Sequence, residues 1–222
     1  MIKGLKKTSF VDYPRKISYV IFMGGCNMRC PFCHNKSIVE NKTDDIDVKE
    51  IINDLEERKG FIESVTITGG EPTIYEDELI EIILKVKKLG YLIKLDTNGT
   101  NPEVIKKIIN ENLVDYIAMD IKNTFDKYNE TTNSKINIDN IKKSIRLIEE
   151  GNIDYEFRTT VNKEMHTEEA ILEICSYVND NSKLVLQPYK YSKEQIKDIK
   201  YTAYTEEELK KIQKKYKVEI RV

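Results

Sequence analysis

The sequence predicts an α/β fold made of parallel β/α units. Apolar, β-branched runs of strand length alternate with helix-period segments along the chain. Gly or Pro punctuates the junctions, and no Pro/Gly/Ser linker, low-complexity tract or shift of composition divides them. At 222 residues the length suits one domain, residues 1–222.

The first strand, residues 17–23 (ISYVIFM), is continuously apolar and stops at Gly24-Gly25. Residues 48–59 follow with helical spacing, Val48, Ile51, Ile52 and Leu55 sharing a face. Residues 65–68 are a short strand that ends at Gly69-Gly70. Residues 78–89 form a helix with Leu79, Ile82, Ile83 and Val86 inward and Gly90 as its stop. Residues 91–96 are a strand that ends in Thr97-Asn98-Gly99.

The pattern then repeats. Pro102 opens a helix over 103–110, and 114–122 reads as a strand. A helix over 138–150, stopped by Gly151, leads to the strand 154–161. Residues 167–178 form a helix that Thr167 begins, 183–187 a strand ended by Pro188, 205–216 a charged helix, and 218–222 a short last strand. Six strands in alternation with helices imply right-handed crossovers. A doubly wound sheet and a full or partial barrel both fit, and periodicity does not separate them.

Composition bounds the function. Thirty-six Lys+Arg stand against 38 Asp+Glu, a net charge of −2, which argues against nucleic-acid binding through a strongly basic surface. The charged start Met1-Ile2-Lys3-Gly4-Leu5-Lys6-Lys7 lacks a signal peptide's apolar run, and no stretch approaches the roughly 20 residues that span a bilayer. A cytoplasmic, reducing location is expected, with no membrane partner. Four cysteines are too few for a disulfide scaffold, yet three of them crowd into residues 26–33.

Strand parity adds a second signal. Lys94 shares a face with Asp96, Asp120 with Lys122, Glu156 with Arg158 and Thr160, and Thr66 with Thr68. Each alone suits a strand end or a helix cap. Together they suggest a polar lumen at the C-terminal mouth of a barrel-like sheet, where the cations compensate the carboxylates.

Cys26, Cys30 and Cys33 stand at CxxxCxxC spacing on the Gly- and Pro-containing loop after the first strand. A zinc site wants four ligands, and no second pair follows at finger spacing; His34 adjoins Cys33 too closely to complete a tetrahedron with it. Cys175 lies on an apolar helix face and reads as a small buried hydrophobe. Three thiolates suit a [4Fe–4S] cluster with one iron open. A redox CxxC at Cys30-Pro31-Phe32-Cys33 is the other possibility, and it leaves Cys26 unexplained.

CxxxCxxC with Phe32 before its last cysteine is similar to the signature of the radical S-adenosylmethionine (SAM) superfamily. Gly69-Gly70-Glu71-Pro72 resembles that family's GGEP motif. The run Gly4 to Pro14, Asp96-Thr97-Asn98-Gly99 and Met119-Asp120-Ile121-Lys122 resemble motifs of glycyl-radical-enzyme activases, most of all the activators of anaerobic ribonucleoside-triphosphate reductase. The resemblance covers nearly all of the chain.

It implies a partial (β/α)6 barrel with one [4Fe–4S] cluster on Cys26, Cys30 and Cys33, whose open iron chelates SAM. Phe32 would meet the adenine, or merely pack the loop. Gly69, Gly70 and Glu71 would meet the SAM amino group. Asp96 and Lys122 would contact the methionine end, and Asn98 is a further contact or a simple turn. A monovalent cation would sit near Asp96, Thr97, Met119 and Asp120. Asp12 and Arg158 are the expected catalytic pair beside the substrate backbone, or structural. The implied reaction is reductive cleavage of SAM, then hydrogen abstraction from a glycine of a partner, with a flavodoxin or ferredoxin as donor. The competing reading is a radical SAM enzyme that acts on a small heterocycle. Arg15 stands where these activators often have glycine. Lys3, Lys6 and Lys7 read as a solvated run or a patch for an acidic donor.

Overall fold

A computed structural model describes residues 1–221. Eight strands form one unclosed sheet in simple sequential order, β1 (Ile2–Tyr13), β2 (Lys16–Met23), β3 (Ser64–Gly69), β4 (Leu92–Thr97), β5 (Tyr116–Asp120), β6 (Asp154–Val161), β7 (Leu184–Pro188) and β8 (Glu219–Ile220). All neighbours from β2 to β8 are parallel, and β1 alone runs antiparallel to β2. The expected six-stranded unit is β2–β7. The expected last strand shrinks to β8, and Val222 lies outside the described residues.

Helices fill the crossovers: α1 (Lys36–Val39), α2 (Val48–Glu57), α3 (Glu76–Lys88), α4 (Pro102–Asn110), α5 (Tyr128–Thr132), α6 (Ile138–Glu150), α7 (Glu168–Cys175) and α8 (Glu206–Lys215). Their starts follow the residues the sequence supplies. Thr167 caps α7 through the Ala170 amide, and Thr205 with Glu208 forms a capping box at α8. The buried stripes Leu79, Ile82, Ile83, Val86 and Ile141, Ile145, Ile148 join the main core.

The strands are two-faced. Tyr19, Ile21, Ile67, Leu95, Ile117, Phe157 and Leu186 are buried in the main apolar core. The alternate residues pair across the sheet as Thr66–Lys94–Tyr116, Asp96–Ala118–Glu156 and Asp120–Arg158–Val185, a polar face. That face is the lumen of the open barrel.

β1 is the element that sequence reading did not place. Its register slips three times, between Ile2 and Gly4, Lys6 and Ser9, and Ser9 and Tyr13, so no period of two survives. Phe10 and Val11 are left 72% and 74% exposed. Tyr13 pairs with Lys16 across a two-residue turn in which Arg15 has φ 60°. Pro14 thus occupies the first central position, and Arg15 the second, which asks for glycine. This settles what arginine does there: it adopts the left-handed conformation at a cost.

Arg15→Gly is therefore expected to stabilise the protein by about 0.5–1 kcal/mol. Relief of about 1–2 kcal/mol of left-handed strain is partly offset by a freer unfolded chain. A rise in the urea midpoint with an unchanged slope is the expected reading.

Candidate functional site

The cysteine loop leaves β2 at Met23 and is pinned by its own backbone. The Gly24 amide donates to Met1, the Gly25 amide to Ile38 and the Arg29 amide to Thr132. No sulfur is in a disulfide; Cys30 is buried, and Cys26 and Cys33 are partly so. Burial pushes the Cys26 thiol up to about 11 and Cys30 to about 12, against the opposing pull of Lys122. Thiols so placed ionise only when a strong positive charge offsets their burial, as a bound metal centre does.

Among the described residues, no three His, Cys, Asp or Glu are gathered as a single-ion site would require. Instead the three cysteines line one cavity of ≈ 470 Å³. A multi-iron cluster fits this donor set: soft thiolate ligands, spread around a chamber rather than about a point. All twelve residues singled out from the sequence line that cavity. It also takes in Thr97 and Asp120, whereas Met119 faces away into the core and presses on Gly99.

Gly69 and Gly70 line the cavity and are also required to be glycine by the close approach of two loops. A Cβ on Gly70 would lie 1.6 Å from the Gly25 carbonyl oxygen, and one on Gly69 (φ 120°) 2.3 Å from that of Met23. The bare backbone lets the turn after β3 close on the cysteine loop, and the Gly70 and Glu71 amides donate to Met23 and Gly25.

Glu71 turns its carboxylate into the chain. One oxygen accepts from the Thr73 amide at 3.1 Å and from the hydroxyls of Thr73 and Thr97 at 2.5 and 2.7 Å. The other accepts from the Asn98 amide at 2.6 Å. Burial raises its pKa, and these bonds oppose that. The clamp holds Asn98, whose Nδ2 donates to Asn27 at 2.8 Å and reaches the Cys26 sulfur at 3.9 Å. Asn98 is thus more than a turn residue.

Across the cavity runs a chain of charges. Arg158 donates from Nε to Asp120 at 2.8 Å and from Nη1 to Asp96 at 3.2 Å. Lys122 donates to Asp120 at 2.8 Å, and Lys94 to Asp96. Burial works against the Asp120 carboxylate, but Arg158 and Lys122 outweigh it and hold the group well below the usual range. Burial likewise opposes the charges of Lys122 and Arg158, and their carboxylate partners win. At Lys94 burial wins over Asp96 and lowers the pKa.

Asp12 and Arg158 make no ion pair with each other among the described residues. Asp12 accepts from Ser9 and Lys6 on β1. Both still line the cavity, and both border a second chamber of ≈ 530 Å³ between Phe10, Val11 and the lumen. Phe32 is 7% exposed and meets Tyr201 edge-on, so it packs the loop as well as lining the site. Cys175 is half-buried against the core.

Sequence reasoning missed residues 189–201. This strap crosses the cysteine loop, with the Ile196 amide donating to Cys33 and the Lys197 amide to Pro31. His34 Nε2 bonds the Lys190 carbonyl at 2.6 Å. Buried Gln195 shapes the strap by bonding Tyr189 and the carbonyls of Lys197 and Ile199. The only sequence signal is a long unpatterned stretch after Pro188, itself a mark of functional loops.

The family description "Radical SAM superfamily" matches residues 20–182. A relative from Methanocaldococcus jannaschii, provisionally named a glycyl-radical enzyme activating enzyme, is 39% identical over 97% of this chain and 92% of its own. A 7-carboxy-7-deazaguanine synthase of Thermococcus kodakarensis is 26% identical over 79% of this chain and 75% of its own. Among solved structures, Streptococcus suis SuiB bound to S-adenosylmethionine matches 91% of this chain with a TM-score of 0.68 at 16% identity. The chain corresponds to 51% of the SuiB chain.

Beneath the charge chain, fully buried Glu156 takes Arg221 bidentately at 2.8 and 2.6 Å and the Tyr116 hydroxyl at 3.3 Å. Burial disfavours its charge, but Arg221 outweighs burial and lowers its pKa from 4.5. The pair's stabilisation is therefore complete above pH 4.5 and is lost as the pH falls through the lowered folded value. Arg221→Ala is expected to cost about 2–3 kcal/mol in urea unfolding, because it takes the bidentate partner from a buried carboxylate and leaves it the Tyr116 hydroxyl and Lys183 at 3.7 Å. Glu156→Gln should cost less than half as much, since water reaches Arg221.

Proposed function

Because the chain belongs to the radical SAM superfamily, we propose that this enzyme activates a glycyl-radical enzyme, and that the partner is an anaerobic ribonucleoside-triphosphate reductase. One observation supports the reading above the rest: the three thiols, the Gly69-Gly70 turn and the Asp96–Arg158–Asp120–Lys122 chain surround a single cavity. The activase motifs near the N-terminus and at Asp96-Thr97-Asn98-Gly99 supply the choice of partner. The setting is the cytoplasm, with a flavodoxin or ferredoxin as electron source. No helix is long and apolar enough to cross a membrane among the described residues.

Cys26, Cys30 and Cys33 would hold one [4Fe–4S] cluster, with SAM in the cavity beside it. Bound there, the cofactors supply the reductive cleavage of SAM and the hydrogen abstraction from glycine. The chain's own residues do the rest. Lys122 offers a cation to a carboxylate, and Asp96 an anion to an ammonium. Arg158 ties Asp96 to Asp120 and fixes both acceptors in place. The reading therefore assigns the positive charge between those carboxylates to Arg158 rather than to a monovalent cation. Asn98 steadies Cys26, and buried Met28 and Phe32 keep water from the loop's underside. The chamber beside Phe10, Val11 and Asp12 is the approach for the partner's glycine-bearing segment.

The second reading, a heterocyclic substrate, draws on the 26% identity to the deazaguanine synthase. The 39% identity over nearly the whole chain favours the activase.

Anaerobically reconstituted protein with SAM and a chemical reductant is expected to yield methionine and 5′-deoxyadenosine in equal amounts. Cys30→Ala should lose both the iron and the products. Iron-replete protein that makes no 5′-deoxyadenosine would refute the radical SAM chemistry for this chain. With the reductase present, EPR should show a glycyl radical; product without that signal turns the reading toward the heterocycle.

A further inference from the structure

We propose that the strap of residues 189–201 is the docking surface for an acidic flavodoxin, which delivers its electron across the strap to the cysteine loop. This rests on the radical SAM reading, which requires an electron from outside the chain. The strap carries Lys190, Lys193, Lys197 and Lys200, all exposed. None of the four makes an ion pair among the described residues.

The lysines of β1 make the contrast. Lys3 is paired with Asp45, Lys6 with Asp12 and Lys7 with Asp54, so that run is already neutralised. On the strap the only carboxylates are Glu194 and Asp198, and Asp198 accepts from the Tyr191 hydroxyl at 2.7 Å. Tyr191 and Ile199 are 40% and 42% exposed among the cations. An apolar centre within a cationic surround complements a carrier whose acidic surface rings an apolar flavin edge.

Position adds the functional argument. The strap touches the loop through main-chain bonds, Ile196 amide to Cys33 carbonyl at 3.1 Å and Lys197 amide to Pro31 carbonyl at 3.0 Å. A carrier seated on the strap is one polypeptide layer from the cysteine that closes the ligand set. The chamber with Phe10, Val11 and Asp12 is bordered by Lys190 at the start of the strap, whereas Lys193, Lys197 and Lys200 lie outside its lining. In the transfer the anionic flavin hydroquinone loses one electron and becomes the neutral semiquinone. The centre held by the three cysteines gains that electron, and no proton moves.

The test is the affinity of reconstituted protein for an acidic flavodoxin, measured by calorimetry at low salt. Lys193→Glu, Lys197→Glu and Lys200→Glu together should weaken binding at least about tenfold and flatten its salt dependence. Lys88→Glu with Lys106→Glu, on the outer helices, should leave the affinity unchanged. Wild-type binding that is absent, or that survives the strap reversal within about twofold, overturns the docking surface. SAM cleavage driven by a chemical reductant should be equal in wild type and the strap variant. Its failure in wild type indicts the radical SAM reading instead, so the two failures are distinguishable.

Discussion

Arg158 is the interaction on which the lumen depends. An open barrel of this kind must turn one face of its strands toward a polar chamber, and this chain places there the largely buried charges of Lys94, Asp96 and Arg158. Buried charges persist only in pairs. Arg158 supplies two pairings at once, to Asp120 on the neighbouring strand β5 and to Asp96 on β4 beyond it. A lysine in its place would offer one point charge where a planar fork is needed. Lys122 and Lys94 then neutralise the outer flanks. The acceptors that a zwitterionic ligand would meet are thus held before it arrives, which is how such sites avoid reorganisation on binding.

A second constraint acts on the cysteine loop, which is held from beneath and from above. Beneath it, the glycine turn after β3 comes so close that no side chain fits, and Glu71 spends its carboxylate on the segment that presents Asn98 to Cys26. Above it lies the strap. Loops are ordinarily the mobile part of a fold. Here backbone amides on both sides fix the thiol-bearing chain, so that its three sulfurs are set by the protein.

The legibility of all this in the sequence divides by physical cause. Strands β2 to β7 could be read because a face buried under helices must be apolar, and caps such as Thr167, Thr205 and Gly90 mark the ends by their own chemistry. The polar parity of Lys94, Asp96, Asp120 and Arg158 was visible for the same reason, since alternation carries it. β1 was hidden because three register shifts erase alternation. The strap was hidden because it binds through main-chain amides, which every residue has. The inward turn of the Glu71 carboxylate was not legible, because a motif names a residue and says nothing of which way it points.

Arg15 shows how these levels interact. In the activators this chain resembles, the turn position often carries glycine, and here arginine adopts the conformation that glycine would adopt freely. The backbone path is therefore dictated by the β1–β2 pairing on either side of it, Ser9 with Ser18 and Tyr13 with Lys16, and not by the turn residue. That path places Tyr13 beside Tyr116 and holds Asp12 at the rim shared by the two chambers. The turn's strain is thus borne by a sheet edge that frames the substrate side. The strap covers the cysteine loop without such strain, through the Ile196 and Lys197 amides. The edge strand and the strap thus meet at one mouth of the lumen, where Asp12 and Lys190 line the same chamber.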